Sequence, residues 1–199
     1  MKRRARFGIA INAPVVLGMA VLALATLIAD SSMRADWIRL FGVYRTSIAD
    51  PMQYVRLFTH VLIHADATHY VSNFMMILAL GPMVEEKYSS GRLCLMIAVT
   101  TLITGLINVL FFPGTVVVGA SGIVFMMILL ASFTNIRQGR LPITVPLVAV
   151  LFIGNEVMAG LFTPSNISRI SHIAGGLCGA CFGFAFYVGK MTGKSTGLA

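Results

Sequence analysis

Leu93-Cys-Leu-Met-Ile-Ala-Val-Thr-Thr-Leu-Ile-Thr-Gly-Leu-Ile-Asn-Val-Leu-Phe-Phe112 contains no charged side chain. At 1.5 Å of rise per residue, a helix of this length spans about 30 Å, the thickness of a bilayer's hydrocarbon core. The stretch predicts a transmembrane helix. Five further segments read the same way: Phe7–Ala29, Thr68–Val84, Val116–Ile136, Leu141–Phe162 and Ile170–Gly189. Thr68–Val84 is short for a span and carries Asn73, and the Pro113-Gly114 connection is very tight. The expected fold class is therefore all-α, a polytopic membrane protein of six transmembrane helices. One integral-membrane domain is expected over residues 1–199.

Composition agrees. The 199 residues are 57% hydrophobic and 11% charged, with a mean hydropathy of +0.87. Soluble domains carry roughly 25% charged residues, so lipid must cover much of this surface. The start, Met1-Lys-Arg-Arg-Ala-Arg6, resembles a signal peptide. The apolar run that follows exceeds the ~7–15 residues of a signal h-region, so a retained first span is expected. Cys94, Cys178 and Cys181 lie in apolar runs and read as small buried hydrophobes.

The net charge of +8 comes from 15 basic and 7 acidic residues. Lys and Arg favour the cytoplasmic side of a membrane protein, and that rule accounts for the excess without a nucleic-acid partner. With six spans and both termini inside, the inner set is Lys2, Arg3, Arg4, Arg6, Lys87, Arg92, Arg137, Arg140, Lys190 and Lys194. Only Arg34, Arg39, Arg45, Arg56 and Arg169 lie outside. Four of those five fall in one loop, about Asp30 to Ala67. Its aromatic residues, Trp37, Phe41, Tyr44 and Tyr54, suit the headgroup region, so a structured, half-embedded element is expected.

Polar groups inside spans are costly and face the bundle interior or a water-filled cavity. In this orientation the second, fourth and sixth spans all run inward from the outer face. Ser121, His172, His69 and Asn73 therefore share one depth, a few residues below that face. A serine hydroxyl becomes a useful nucleophile when an imidazole takes its proton. The resulting oxyanion needs fixed donors. His69 and Asn73, four apart, share a helix face. The backbone of Ala120 and Ser121 can add donors where a helix begins. Gly119 and Gly122 flank the serine and allow close approach. The fourth and sixth spans hold no acidic residue, so the pair is a Ser–His dyad. Phe125, one turn below Ser121, offers a ring against which His172 can stack. Gly175, Gly179 and Gly183 form a small-residue stripe that brings the sixth span onto a neighbour, with His172 one turn above Gly175.

Each feature alone has a plainer explanation: Gly119-Ala-Ser121-Gly122 as helix packing, His172 as interfacial, His60 and His64 as structural. His60, His64 and His69 have helical spacing for a metal but no carboxylate partner. Glu85 and Glu86, with Lys87 and Arg92, read as solvated caps, and Glu156 beside Asn155 as a gate or a structural group. The conjunction of four suitable groups at one depth favours chemistry.

These motifs resemble the rhomboid family of intramembrane serine proteases. His64-x4-His69-x3-Asn73 is similar to the family's second-span motif, Gly119-Ala-Ser121-Gly122 to its G-x-S-G, and His172-x2-Gly175-x3-Gly179 to its sixth-span histidine motif. Gly81-x3-Glu85 with Gly91 resembles the turn between the second and third spans. The match covers core catalytic helices over about 68–189. It implies a rhomboid-like bundle with a long first extracytoplasmic loop, Ser121 as nucleophile, His172 as base, and oxyanion donors from His69, Asn73 and backbone amides. It further implies single-span transmembrane substrates within the lipid bilayer, no metal or organic cofactor, and the minimal bacterial type in the inner membrane. Two departures stand out: Val55-Arg56 where relatives often have Trp-Arg, and Phe125 where they often have tyrosine. The alternatives are a catalytically inactive, client-binding relative and a small transporter or channel. The latter would carry mid-membrane charges on several helices or inverted repeats.

Overall fold

The computed structural model describes residues 11–33, 36–134 and 167–191, with isolated positions between 143 and 154. Its helices are α1 (Pro14–Met33), α2 (Trp37–Phe41), α3 (Pro51–Thr59) with a 3-10 turn at His60–Leu62, α4 (Ala67–Tyr88), α5 (Ser90–Phe111), α6 (Ser121–Ser132) and α7 (Ile167–Met191). Among the described residues there is no strand, only an isolated bridge between Val43 and Val117. The expected fifth span, Leu141–Phe162, lies largely outside the described residues, as do Glu156, Asn155 and the basic N-terminus.

Among the described residues, three helices are long and apolar enough to cross a membrane: Pro14–Ser32, Ser90–Phe111 and Arg169–Gly189. Only 22%, 39% and 33% of their most apolar stretches are buried against protein. Val21, Leu22, Leu177 and Phe184 are among the large apolar side chains left outside. Such an exterior is stable against lipid and not against water. The core lies where α4, α6 and α7 meet α1 and α5, around Phe74, Ile77, Ile123, Met126 and Met127.

The fourth expected span begins later than its hydropathy indicates. Val116–Ala120 is not helical, although Val116-Val-Val118 is as apolar as any span. Asn108 fixes this segment: its Nδ2 donates to the carbonyls of Val43 (2.9 Å) and Thr115 (3.1 Å). Val43 and Val117 exchange both backbone hydrogen bonds at 2.9 Å. Irregular backbone at membrane depth is tolerated only where protein or a cavity supplies its partners, and these bonds supply them. The outcome is a helix, α6, whose first residue is Ser121.

Between α1 and α4 the chain folds into α2, α3 and the 3-10 turn. Asp50 caps α3 by accepting the Met52 N–H at 2.9 Å. That bond, aided by Thr46 and Arg56, holds its carboxyl below the usual range. Arg56 is buried; its Nε donates to the Leu40 carbonyl and its Nη1 to Asp50 Oδ2, both at 3.1 Å. The guanidinium also lies 4.5 Å from the Tyr44 ring centroid. Arg56 therefore anchors the loop while Val55 is exposed. Val55, Tyr54, Phe58 and Ile48 turn outward, an apolar flank suited to the interface.

Two expectations are corrected. Glu85 is not a solvated cap: it is 2% exposed and accepts the N–H groups of Val15 (3.0 Å) and Val16 (3.1 Å) and the Ser90 hydroxyl (2.7 Å). Its carboxylate closes the N-terminus of α1, where free donors and the helix dipole favour an anion. Gly81, one turn earlier, leaves room for Val16 at the same crossing. The cysteines also divide. Cys178 is buried, whereas Cys94 and Cys181 are exposed, and all three thiols are free despite the Cys178-x-x-Cys181 spacing.

Replacing Glu85 by Ala strips three donors of a charged acceptor and is expected to cost about 3 kcal/mol. Glu86→Ala, at an exposed position, should change stability by less than about 0.5 kcal/mol. Equilibrium unfolding in mixed micelles measures both, and equal losses would contradict the assignment of Glu85. His60, buried in the loop, gives a pH signature, because desolvation pushes its pKa down from 6.5 to about 4. The unfolded chain therefore takes up a proton between pH 6.5 and about 4 that the folded loop refuses. Stability should fall as pH drops through that window. His60→Asn should make the fall shallower, and an unchanged pH slope in that variant would refute the burial effect.

Candidate active site

α6 and α7 form the most extensive helix pair among the described residues, and glycine is the reason. A Cβ on Gly175 would collide with the Gly122 carbonyl, one on Gly179 with the Met126 carbonyl, and one on Gly183 with the Phe133 ring. The glycine stripe of α7 thus lies directly on the backbone of α6. Thr104 of α5 also closes on Gly122, 3.0 Å from where a Cβ would stand.

This contact sets the position of His172, one turn above Gly175. Its imidazole lies on the Phe125 ring, with centroids 4.4 Å apart and 35° between planes. Phe125 is one turn below Ser121, so the imidazole sits at the first turn of α6. Both Ser121 and His172 are partly accessible, whereas Gly122 and Ser171 beside them are buried.

A tight turn carries Ser121. Gly119 has φ +107°, in the left-handed region that disfavours a side chain. A Cβ there would also stand 2.6 Å from His69 Nε2 and 3.5 Å from Asn73 Nδ2. Both α4 side chains consequently border the turn that precedes the serine. Asn73 is 6% exposed, and among the described residues its Nδ2 has no hydrogen-bond partner. A buried amide donor costs free energy when unpaired, so its retention here suits a transient acceptor. Ala120 caps α6 without any side-chain hydrogen bond, leaving the first backbone donors of the helix without that partner.

His60 and His64 do more than the sequence indicates. The His60 carbonyl accepts the Gly119 N–H at 2.9 Å, tying the loop to the serine turn. Its Nδ1 donates to the Arg56 carbonyl (3.1 Å), and its ring edge meets α5 near Thr104 and Gly105. The carbonyl contact has no sequence signal, since every residue has a carbonyl. His64 packs edge-on against His69, with ring centroids 5.1 Å apart, and against Tyr70 at 5.6 Å. It thereby orients His69. Among the described residues no three His, Cys, Asp or Glu side chains group as a metal site, and His60 turns toward α5 rather than toward the other two histidines.

The arrangement places a hydroxyl at a helix start, an imidazole resting on the ring one turn below it, two nitrogen-bearing side chains and helix N–H groups that lack a side-chain cap. Comparison with known proteins points the same way. The Rhomboid domain family matches residues 51–189. Rhomboid protease GluP of Bacillus subtilis is 29% identical over 157 residues, covering 77% of this chain and 30% of its own length. Rhomboid-related protein 2 of Mus musculus is 30% identical over 145 residues, 66% of this chain and 48% of its own. Rhomboid protease GlpG of Salmonella choleraesuis is 28% identical over 131 residues, 65% of this chain and 47% of its own. The chain thus spans less than half the length of each of these relatives. With its membrane-spanning apolar helices and the family match over 51–189, this chain is an integral membrane protein of the rhomboid family.

Proposed function

We propose that this protein is an intramembrane serine endopeptidase in which Ser121 is the nucleophile and His172 the general base. The observation that carries the proposal is the stacking of His172 on Phe125 at the first turn of α6, the turn that opens with Ser121. Kinship with proteins named rhomboid proteases supports the same reaction class.

In the proposed reaction an imidazole nitrogen of His172 takes the Ser121 hydroxyl proton as Oγ attacks the scissile carbonyl carbon. The carbonyl π electrons move to oxygen, and Asn73 Nδ2, His69 and the backbone N–H groups at the start of α6 stabilise that charge. Collapse of the intermediate breaks the C–N bond, and the imidazolium returns its proton to the leaving amine. Water, deprotonated by the same imidazole, then releases the acyl group from Ser121. Stacking and helix packing orient the base in place of an acid.

The proposed setting is one domain of six spans in a bacterial inner membrane, with both termini cytoplasmic and the site near the outer face. Substrates in this account are single-span transmembrane proteins, cut close to their outer end. A catalytically inactive client-binding role is the rival, and the presence of both Ser121 and His172 argues against it.

Cleavage of a single-span model substrate in liposomes tests the proposal. Ser121→Ala and His172→Ala should abolish turnover. Asn73→Ala should lower kcat by about 10²–10³-fold with little change in KM, the signature of a donor used in the transition state. Phe125→Ala should lower kcat without loss of the serine. Undiminished cutting by Ser121→Ala would end the protease assignment.

A further inference from the structure

At the end of the bundle opposite the serine turn, α5 and α7 enclose a groove of about 190 Å³. Arg92, Leu95, Val99, Phe182, Ala185 and Phe186 are among the residues that line it. Arg92 lies in the first turn of α5 and Val99 seven residues on, so the walls reach about 10 Å along the helix. Phe186 is held from two sides. The Tyr88 ring meets it edge-on at 4.8 Å between centroids, and the Arg92 guanidinium carbon lies 5.2 Å from its centroid. Tyr88 is itself buried, with its hydroxyl donating to the Leu130 carbonyl at 3.4 Å. A cation therefore stands at one end of an apolar channel whose shape is set by packed aromatic rings.

We propose that this groove seats one acyl chain of an anionic phospholipid, with the lipid phosphate against Arg92. Within a bilayer, hydrocarbon fills an apolar groove open to lipid. A cation at headgroup depth between transmembrane helices selects an anionic headgroup, and guanidinium matches phosphate geometry. Lys87, exposed in the last turn of α4, adds positive charge at the same end of the bundle, and exposed Glu86 opposes it. That balance favours a singly charged phosphodiester. The choice of the inner leaflet rests on the proposed orientation; the chemistry of the site does not. A lipid seated here bridges α5 to α7, the helix that carries His172.

The test uses the full chain in detergent with added phosphatidylglycerol, phosphatidylcholine or glycerol phosphate. Binding is read by thermal shift and by lipid retention in native mass spectrometry. Proteolysis is not measured, so the outcome is independent of the catalytic proposal. Phosphatidylglycerol should bind the wild type and bind Arg92→Gln about fivefold more weakly. Arg92→Lys should retain most of the affinity. Ala185→Phe, which fills the groove and keeps the charge, should lose binding. Equal binding of phosphatidylglycerol and phosphatidylcholine, unchanged affinity in Arg92→Gln or Ala185→Phe, or a full shift from glycerol phosphate alone would each overturn the proposal.

Discussion

The structure depends on the direct contact of two helix backbones. Gly175 and Gly179 of α7 rest on the carbonyls of Gly122 and Met126 of α6, where even a methyl group would not fit. In lipid no hydrophobic force draws helices together, so close van der Waals packing between small residues does that work. The contact fixes the height and rotation of α7 relative to α6. His172 comes to rest on Phe125 as a result. No acidic residue is needed to hold the imidazole if the helices that flank it cannot slide.

The remainder of the fold supports the other half of the site. α6 can begin at Ser121 because Asn108 and the Val43–Val117 pair satisfy the irregular backbone before it. The loop contributes through His60, whose carbonyl holds the Gly119 N–H. Arg56 in turn holds the loop through Leu40, Asp50 and Tyr44. A chain of polar contacts thus runs from the α2–α3 segment to the serine turn. Glu85 performs a similar task at the other end by capping α1 against the α4–α5 turn.

Much of this was legible in the sequence, and the exceptions have physical causes. Leu93–Phe112 and Ile170–Gly189 announce their helices because lipid demands long apolar runs. The stripe Gly175-x3-Gly179-x3-Gly183 announces a close helix contact because only glycine permits one. Val116–Ala120 misleads, since hydropathy reports what lipid or a protein core tolerates and not whether the backbone is helical. Glu85 misleads because a carboxylate near a basic cluster is usually solvated, and its true partners are α1 N–H groups about seventy residues away in sequence. The role of the His60 carbonyl is silent for the same reason: long-range backbone partners leave no local pattern.

The central claim is that glycine-mediated contact between α6 and α7 makes Ser121 reactive by bringing His172 to it. Its most direct test is the rate of Ser121 labelling by a serine-reactive fluorophosphonate in wild type and Gly179→Val, with Gly18→Val as a control at an open position of α1. The account predicts at least about a tenfold slower reaction in Gly179→Val, with helix content retained, and no change in Gly18→Val. Labelling of Gly179→Val at the wild-type rate would contradict it.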